Sequence, residues 1–89
     1  MSIANFIEYI SSEKRYSSHT QNAYQKDLED FANYCNSYYQ LNSLKSVAYV
    51  MIREWIVHLS SSGLKNQSIN RKCSSLKSYF NFLQKLREI

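Results

Sequence analysis

The chain has 89 residues, 44% of them hydrophobic and 15% aromatic, a composition that indicates one small globular domain and excludes a disordered segment. It holds one Gly and no Pro, whereas β-sandwiches and barrels need many turns that these residues usually supply, so an all-α fold is predicted. The net charge is +4, and no apolar run approaches the roughly 18 residues that span a membrane. Two Cys are too few for a disulfide scaffold, so a cytosolic protein with reduced thiols is expected.

The first half of the chain predicts two helices. A first helix is expected over residues 2–12, with Ser2 as its cap, and it carries Glu8 and no basic start, unlike a signal peptide. Its apolar face consists of Ile3, Phe6, Ile7 and Ile10. A second helix is expected over residues 18–38, capped by Ser17 or Ser18. Its apolar stripe consists of Tyr24, Leu28, Phe31 and Cys35, with Tyr38 at its end.

A third helix is predicted over residues 47–61, after a polar and aromatic loop over residues 36–46. Ser46 is the candidate cap, and Gly63 lies where a left-handed residue commonly ends a helix. The shared apolar face consists of Ile52, Trp55, Ile56 and Leu59, with Ala48 one turn earlier.

A fourth helix is predicted over residues 66–87. Its inner face follows spacings of four and three residues and consists of Ile69, Cys73, Leu76, Phe80 and Leu83. Its opposite side consists of Gln67, Asn70, Arg71, Ser74 and Ser78, flanked by Lys77 and Lys72.

The outer side of this fourth helix is the most informative feature for function. Residues 65–87 contain six cations and no acid, and the charge sums to −2 over residues 1–44 and to +6 over residues 45–89. A surface that meets DNA avoids carboxylates, reads bases with amides and binds phosphates with Arg or Lys. The alternative is a compositional bias on an ordinary surface, since the chain holds 15 Ser and 8 Asn and many small proteins are mildly basic.

The start of the second helix is similar in character. Hydroxyl, amide and imidazole groups crowd its N-terminus, where unpaired backbone N–H groups suit phosphate oxygens. These residues are Ser17, Ser18, His19, Thr20 and Asn22. The alternative is plain helix capping.

Neither a metal site nor a catalytic site is predicted. His19, His58, Cys35 and Cys73 lack the close pairing of zinc ligands, and both Cys fall on inner faces. The acids Asp27, Glu29 and Asp30 are interpreted as lying on differing helix faces, without a paired acid site. The tyrosines are interpreted as packing residues more often than as stacking platforms for bases. A self-contained enzyme is therefore not expected.

Four strings in register resemble the start of tyrosine recombinases, closest to their Xer-like branch. Residues 13–31 follow the pattern E-K-x-x-S-x-x-T-x-x-x-Y-x-x-D-L-x-x-F. Residues 52–56 and 59–63 are similar to the family's third helix. Residues 68–83 are similar to T-I-N-R-x-L-S-x-L-R-S-F-Y-x-F-L.

The resemblance implies a four-helix, possibly five-helix, SAM-like orthogonal bundle over residues 1–89, the core-binding domain, whose second and fourth helices face the major groove of DNA. From the second helix the DNA-facing residues carried over are Ser18, His19, Asn22 and Lys26. From the fourth helix they are Lys65, Asn66, Gln67, Ser68, Asn70, Arg71, Ser74, Lys77 and Ser78.

The resemblance also implies a function for the domain. The domain would clamp a recombination half-site of double-stranded DNA for a parent enzyme. That enzyme would cut DNA through a phosphotyrosine, without metal or other cofactor. It would act in the bacterial cytoplasm, on the nucleoid. The catalytic domain, which is C-terminal in the family, is absent from this chain and would be a partner, as would other recombinase subunits; no membrane is involved. The alternative is a helical protein-interaction module that uses an apolar patch around Tyr38, Tyr39 and Leu41.

Overall fold

The chain folds into a four-helix bundle in the computed structural model, which describes residues 3–87 and residue 89. Over these residues there are four α-helices, one 3-10 turn and no strand. The helices are α1 (Ile3–Ser12), α2 (Ser18–Tyr39), α3 (Tyr49–Ser61) and α4 (Asn66–Lys85). The predicted all-α, four-helix fold is confirmed, while the predicted cap Ser2 lies outside the described residues.

The N-terminus of α2 is capped as its sequence predicts. The Ser17 hydroxyl accepts a hydrogen bond from the Thr20 backbone N–H at 3.2 Å, which satisfies one of the unpaired donors of the first turn. The helix runs on to Tyr39 and so includes the first four residues of the stretch predicted as a loop from Asn36; it ends at Gln40 in the left-handed conformation with φ +53°.

The predicted start of α3 is wrong by two residues. A 3-10 turn occupies Leu44–Ser46, with its first turn capped by the Ser43 hydroxyl, so Ser46 belongs to that turn and does not cap α3. The N-cap of α3 is Ala48, which has no side chain that can accept a hydrogen bond. At the other end of the chain α4 stops at Lys85, not at the predicted residue 87.

The core lies between α2, α4 and α1, and α3 adds one large side chain to it. The Trp55 ring of α3 is 2% exposed and lies 4.9 Å from the Phe31 ring of α2, centroid to centroid. The Phe6 ring of α1 lies 5.4 Å from both Tyr79 and Phe82 of α4. The buried cluster consists of Phe6, Ile10, Leu28, Phe31, Cys35, Trp55, Leu76, Tyr79, Phe82 and Leu83.

The buried face of α4 is rotated from the predicted one. Cys73 and Phe80, predicted as inner residues, are only half-buried, while Tyr79 and Phe82 are buried. Tyr79 and Phe82 of α4 face α1, where both rings pack against Phe6. The same rotation buries two polar side chains of α4, those of Lys72 and Ser75.

Gly63 ends α3 as its position in the sequence predicts. Its φ is +91°, its N–H donates to the Ser60 carbonyl at 3.1 Å, and the Leu64 N–H donates to the Leu59 carbonyl at 3.2 Å. This pair of bonds is the Schellman arrangement, which satisfies carbonyls that the helix leaves unpaired.

We expect Gly63→Ala to lower the free energy of unfolding by about 1 kcal/mol, because an added Cβ meets nothing within 4 Å and the cost is that of the left-handed backbone alone. Gly63→Asn should lose less, since Asn tolerates this conformation better. Urea unfolding followed by circular dichroism measures both, and equal stability of Gly63→Ala and the unaltered chain would contradict this account.

Candidate nucleic-acid interface

The α2 residues predicted to face DNA lie along the first turns of that helix and are all exposed. Ser18, His19 and Asn22 stand within the first two turns, and Lys26 follows one turn later. The N-cap at Ser17 places Ser18 and His19 beside the positive end of the helix dipole and its free N–H groups. This end of α2 is therefore chemically suited to an anion.

Acidic side chains follow this region of α2 and mark its end. The exposed Glu29 carboxylate accepts a hydrogen bond from the Gln25 amide at 3.3 Å. The Asp30 side chain, 43% exposed, binds the Lys72 ammonium at 3.3 Å. Since carboxylates repel phosphates, the part of α2 that suits DNA ends at Lys26.

Most of the α4 residues predicted to face DNA are also exposed. We call them the outer face of α4: Lys65, Asn66, Gln67, Asn70, Arg71, Ser74 and Lys77. No carboxylate occurs between the first and last residues of this helix. Two further predicted residues, Ser68 and Ser78, are half-buried and stand at the edge of this face.

Ser78 lines a surface cavity that the sequence analysis did not predict. This cavity lies between α1, the α1–α2 connection and α4, and its polar lining includes Lys14, Tyr16, Asn81 and Lys85. Asn81 and Lys85 follow Ser78 by three and seven residues, so they continue one stripe of α4. That spacing is the signal that could have extended the predicted face toward the end of the helix.

Arg71 is not a free surface cation. Its Nε donates to Asp27 Oδ2 at 3.1 Å and its Nη2 donates to Asp27 Oδ1 at 2.8 Å, so one edge of the guanidinium is bound to a carboxylate of α2. The Arg71 side chain is nevertheless 47% exposed, whereas that of Asp27 is 0% exposed. The acid therefore lies behind the arginine, on its protein side.

Two more α4 side chains complete the environment of Asp27. The Lys72 ammonium donates to Oδ1 at 3.0 Å, and the Ser75 hydroxyl donates to Oδ2 at 2.8 Å. With Arg71 these make four hydrogen bonds on two oxygens, which fills the carboxylate's acceptor positions. We call Asp27, Arg71, Lys72 and Ser75 the carboxylate cluster. Among the described residues, no buried side-chain nitrogen or oxygen lacks a partner.

The cluster keeps Asp27 ionised despite its burial. Burial raises the pKa of this carboxyl, but the hydrogen bonds from Arg71, Ser75 and Lys72 together outweigh it, and the pKa lies below its ordinary value. The hydrogen bond between Arg71 and Asp27 in turn raises the pKa of Arg71. Both shifts favour the charged pair, as expected for a bidentate contact between a guanidinium and a carboxylate.

The carboxylate cluster corrects two interpretations made from the sequence. Asp27 and Asp30 do not lie on differing faces, since both bind Lys72. Lys72 is buried and not a solvated flank, with its ammonium 6.0 Å from the centre of the Trp55 ring. The available signal was the position of Asp27 beside Leu28 and four residues before Phe31, which places a carboxylate within the apolar stripe of α2.

Neither cysteine has the lowered pKa of an activated thiol. Cys35 is fully buried and Cys73 half-buried, and burial raises the pKa of both. Within residues 3–87 and residue 89, no three His, Cys, Asp or Glu side chains are grouped as metal ligands. In that same part of the chain, none of the helices has the length and apolar character needed to cross a bilayer.

Comparison with known proteins gives a consistent result over nearly the whole chain. The family described as phage integrase, N-terminal SAM-like domain, matches residues 3–86. The chain is 41% identical over 81 residues to tyrosine recombinase XerD of Rickettsia conorii. It is 35% identical over 83 residues to tyrosine recombinase XerC of Listeria innocua, and 40% identical over 81 residues to XerD of Rickettsia prowazekii.

These matches cover 91 to 93% of this chain but only 25 to 27% of the recombinases. The chain thus spans about a quarter of the length of the curated relatives. No solved structure gives a significant match.

We expect the carboxylate cluster to make stability depend on acid pH. Because the pKa of Asp27 is lowered on folding, its stabilising effect is fully present above the ordinary value of 3.8 and is lost as the pH falls through the lower folded-state value. Asp27→Asn should cost about 3 kcal/mol at neutral pH, and less as the pH falls below that value. Urea unfolding of both chains across this range measures the difference, and a constant gap would contradict the assignment.

Proposed function

The chain belongs to the phage integrase N-terminal SAM-like domain family, and from this premise we propose that it is the core-binding domain of a tyrosine recombinase, which binds double-stranded DNA and clamps a recombination half-site. The observation that carries this proposal is the outer face of α4, which is exposed and free of carboxylates. Amides on that face can read base edges, and its cations can bind phosphates.

The structure supports pairing α2 with α4 in this role. Arg71 of α4 is bound to Asp27 of α2, next to the exposed Lys26. The ion pair thereby joins the two helices that carry the proposed DNA contacts. The proposed contact residues are the exposed ones of α2 and the outer face of α4, together with Ser68 and Ser78 at its edge.

The role of the parent protein is part of the same proposal. The relatives are named tyrosine recombinases, and this chain corresponds to the SAM-like domain of such a protein. We infer a bacterial cytoplasmic protein that acts on the nucleoid, with the catalytic domain and further recombinase subunits as partners. Strand cleavage would be the task of the catalytic domain, without metal or other cofactor, and the domain described here would position the duplex.

The affinity of the isolated domain for DNA should be low and dependent on salt. Each phosphate neutralised by a cation releases condensed counterions, so the binding constant falls as salt rises. A single module also buries less surface than a complete clamp.

We expect Lys77→Ala to weaken DNA binding and to reduce the slope of log K against log salt by about 1, because Lys77 is an exposed cation of the outer face. Arg53→Ala is the matched control, since it removes one positive charge from α3, beside Val50 and Val57. Fluorescence anisotropy with a labelled duplex pool of random sequence measures both. Equal losses would indicate attraction by net charge alone and would contradict the assigned face.

An NMR titration of the chain with the tightest duplex selected from that pool locates the contact. We expect the largest amide shifts in the first turns of α2 and along α4, because the proposed contacts lie there. Shifts confined to α1 and α3 would contradict the proposed interface.

A protein-interaction module remains the second candidate, on a different surface from the one predicted. Tyr39 and Leu41 of the predicted patch are half-buried against the core, and only Tyr38 is exposed, at 60%. Val50 and Val57 of α3 are also exposed, at 52% and 64%. Self-association that is insensitive to salt, without any shift of DNA in a gel, would favour this candidate.

A further inference from the structure

We propose that Asp27 is a positioning residue for DNA recognition: its buried carboxylate holds one edge of the Arg71 guanidinium so that the opposite edge makes a bidentate contact with two neighbouring acceptor atoms of DNA. The inference rests on the proposed function and goes beyond it, because it gives a role in binding to a residue that DNA cannot reach.

The geometry of the Arg71 guanidinium carries the argument. Its Nε and one N–H of Nη2 are taken by the two oxygens of Asp27. A guanidinium has five N–H donors in one plane, so three remain, and two of these form the fork between Nη1 and Nη2. Among the described residues, no protein acceptor is bound to that fork. The Arg71 side chain is 47% exposed, and because its Nε edge lies against the buried Asp27, we assign that exposure to the fork.

The carboxylate that orients Arg71 is itself held in place. Asp27 is 0% exposed, and its two oxygens are also bound by Lys72, the residue after Arg71, and by Ser75, one turn later in α4. The side chain of Lys72 is only 9% exposed. An arginine docked on such a support loses its conformational freedom when the protein folds, so that entropy is not lost again when DNA binds.

The opposite charges of Asp27 and Arg71 leave the orientation of the guanidinium as the main contribution of this pair to DNA binding. Asp27 and Arg71 have opposite charges 2.8 Å apart, so the pair has little net attraction for a distant phosphate. What remains is a planar fork in a fixed orientation, which matches two phosphate oxygens or the O6 and N7 atoms of guanine. A lysine at this position would keep the charge and lose the fork.

Two carboxylate variants separate positioning from electrostatics. Asp27→Asn removes a negative charge close to the proposed interface, so electrostatics alone would tighten DNA binding, whereas loss of positioning weakens it. We expect about ten-fold weaker binding. The matched control is Asp30→Asn, which also removes a negative charge and leaves Arg71 on Asp27; it should bind DNA as well as the unaltered chain or slightly better. Anisotropy in low salt measures the affinities, at a temperature where NMR spectra establish that each chain is folded.

A second pair of variants keeps the test decisive if Asp27→Asn does not fold. Arg71→Lys retains the charge and the pairing with Asp27, and we expect it to bind DNA about ten-fold more weakly. When both variants are soluble, the double variant should bind no more weakly than Arg71→Lys alone, because Asp27 acts only through Arg71. The Nε–H resonance of Arg71 gives a direct signal, since it should shift on DNA addition in the unaltered chain.

The outcomes distinguish this inference from the proposed function. If Lys77→Ala weakens binding while Asp27→Asn and Arg71→Lys leave it unchanged or tighter, positioning by Asp27 is overturned and the DNA interface stands. If the unaltered chain binds no duplex, both proposals fall.

A substituted duplex identifies the acceptor when the positioning effect is found. With 7-deazaguanine in place of guanine, N7 is lost as an acceptor. Loss of the difference between Arg71→Lys and the unaltered chain then assigns the fork to a guanine edge. Persistence of that difference assigns it to a phosphate. Either result supports the bidentate contact.

Discussion

The buried carboxylate of Asp27 is the interaction on which the arrangement of α2 and α4 depends. Four donors from three residues on two neighbouring turns of α4 converge on it: Nε and Nη2 of Arg71, the ammonium of Lys72 and the hydroxyl of Ser75. An ion of this kind is costly to bury unless all its acceptor positions are filled, so the two helices can meet in few registers. The apolar side chains supply most of the driving force, and the carboxylate selects one alignment.

This alignment also determines which surface the molecule offers to a polyanion. Because Asp27 draws Lys72 and Ser75 inward, α4 turns its amides, Ser74 and Lys77 outward. The negative charge is enclosed behind Arg71, so the exposed surface of α4 stays free of carboxylates. An acid that would oppose DNA binding at the surface is therefore, in our proposal, a support for Arg71 from within.

The third helix is held differently and has a different character. Trp55 inserts into the core beside Phe31, and its ring also lies 6.0 Å from the ammonium of Lys72. Beyond this anchor, α3 leaves Val50 and Val57 exposed, on a helix without the polar character of α4. The described part of the domain thus has a polar cationic surface on α4 and a separate apolar surface on α3.

The sequence by itself determined the number of helices, the cap at Ser17 and the left-handed end at Gly63, because these follow from periodicity and local backbone preferences. It also predicted the exposed outer face of α4, although Ser68 and Ser78 are half-buried and the exposed Asn81 and Lys85 were missed. It did not determine the rotation of α4 or the fate of Lys72, since a helical wheel ranks a lysine as solvated. Only the tertiary structure decided those, because the acceptor that buries Lys72 comes from Asp27, 45 residues away along the chain.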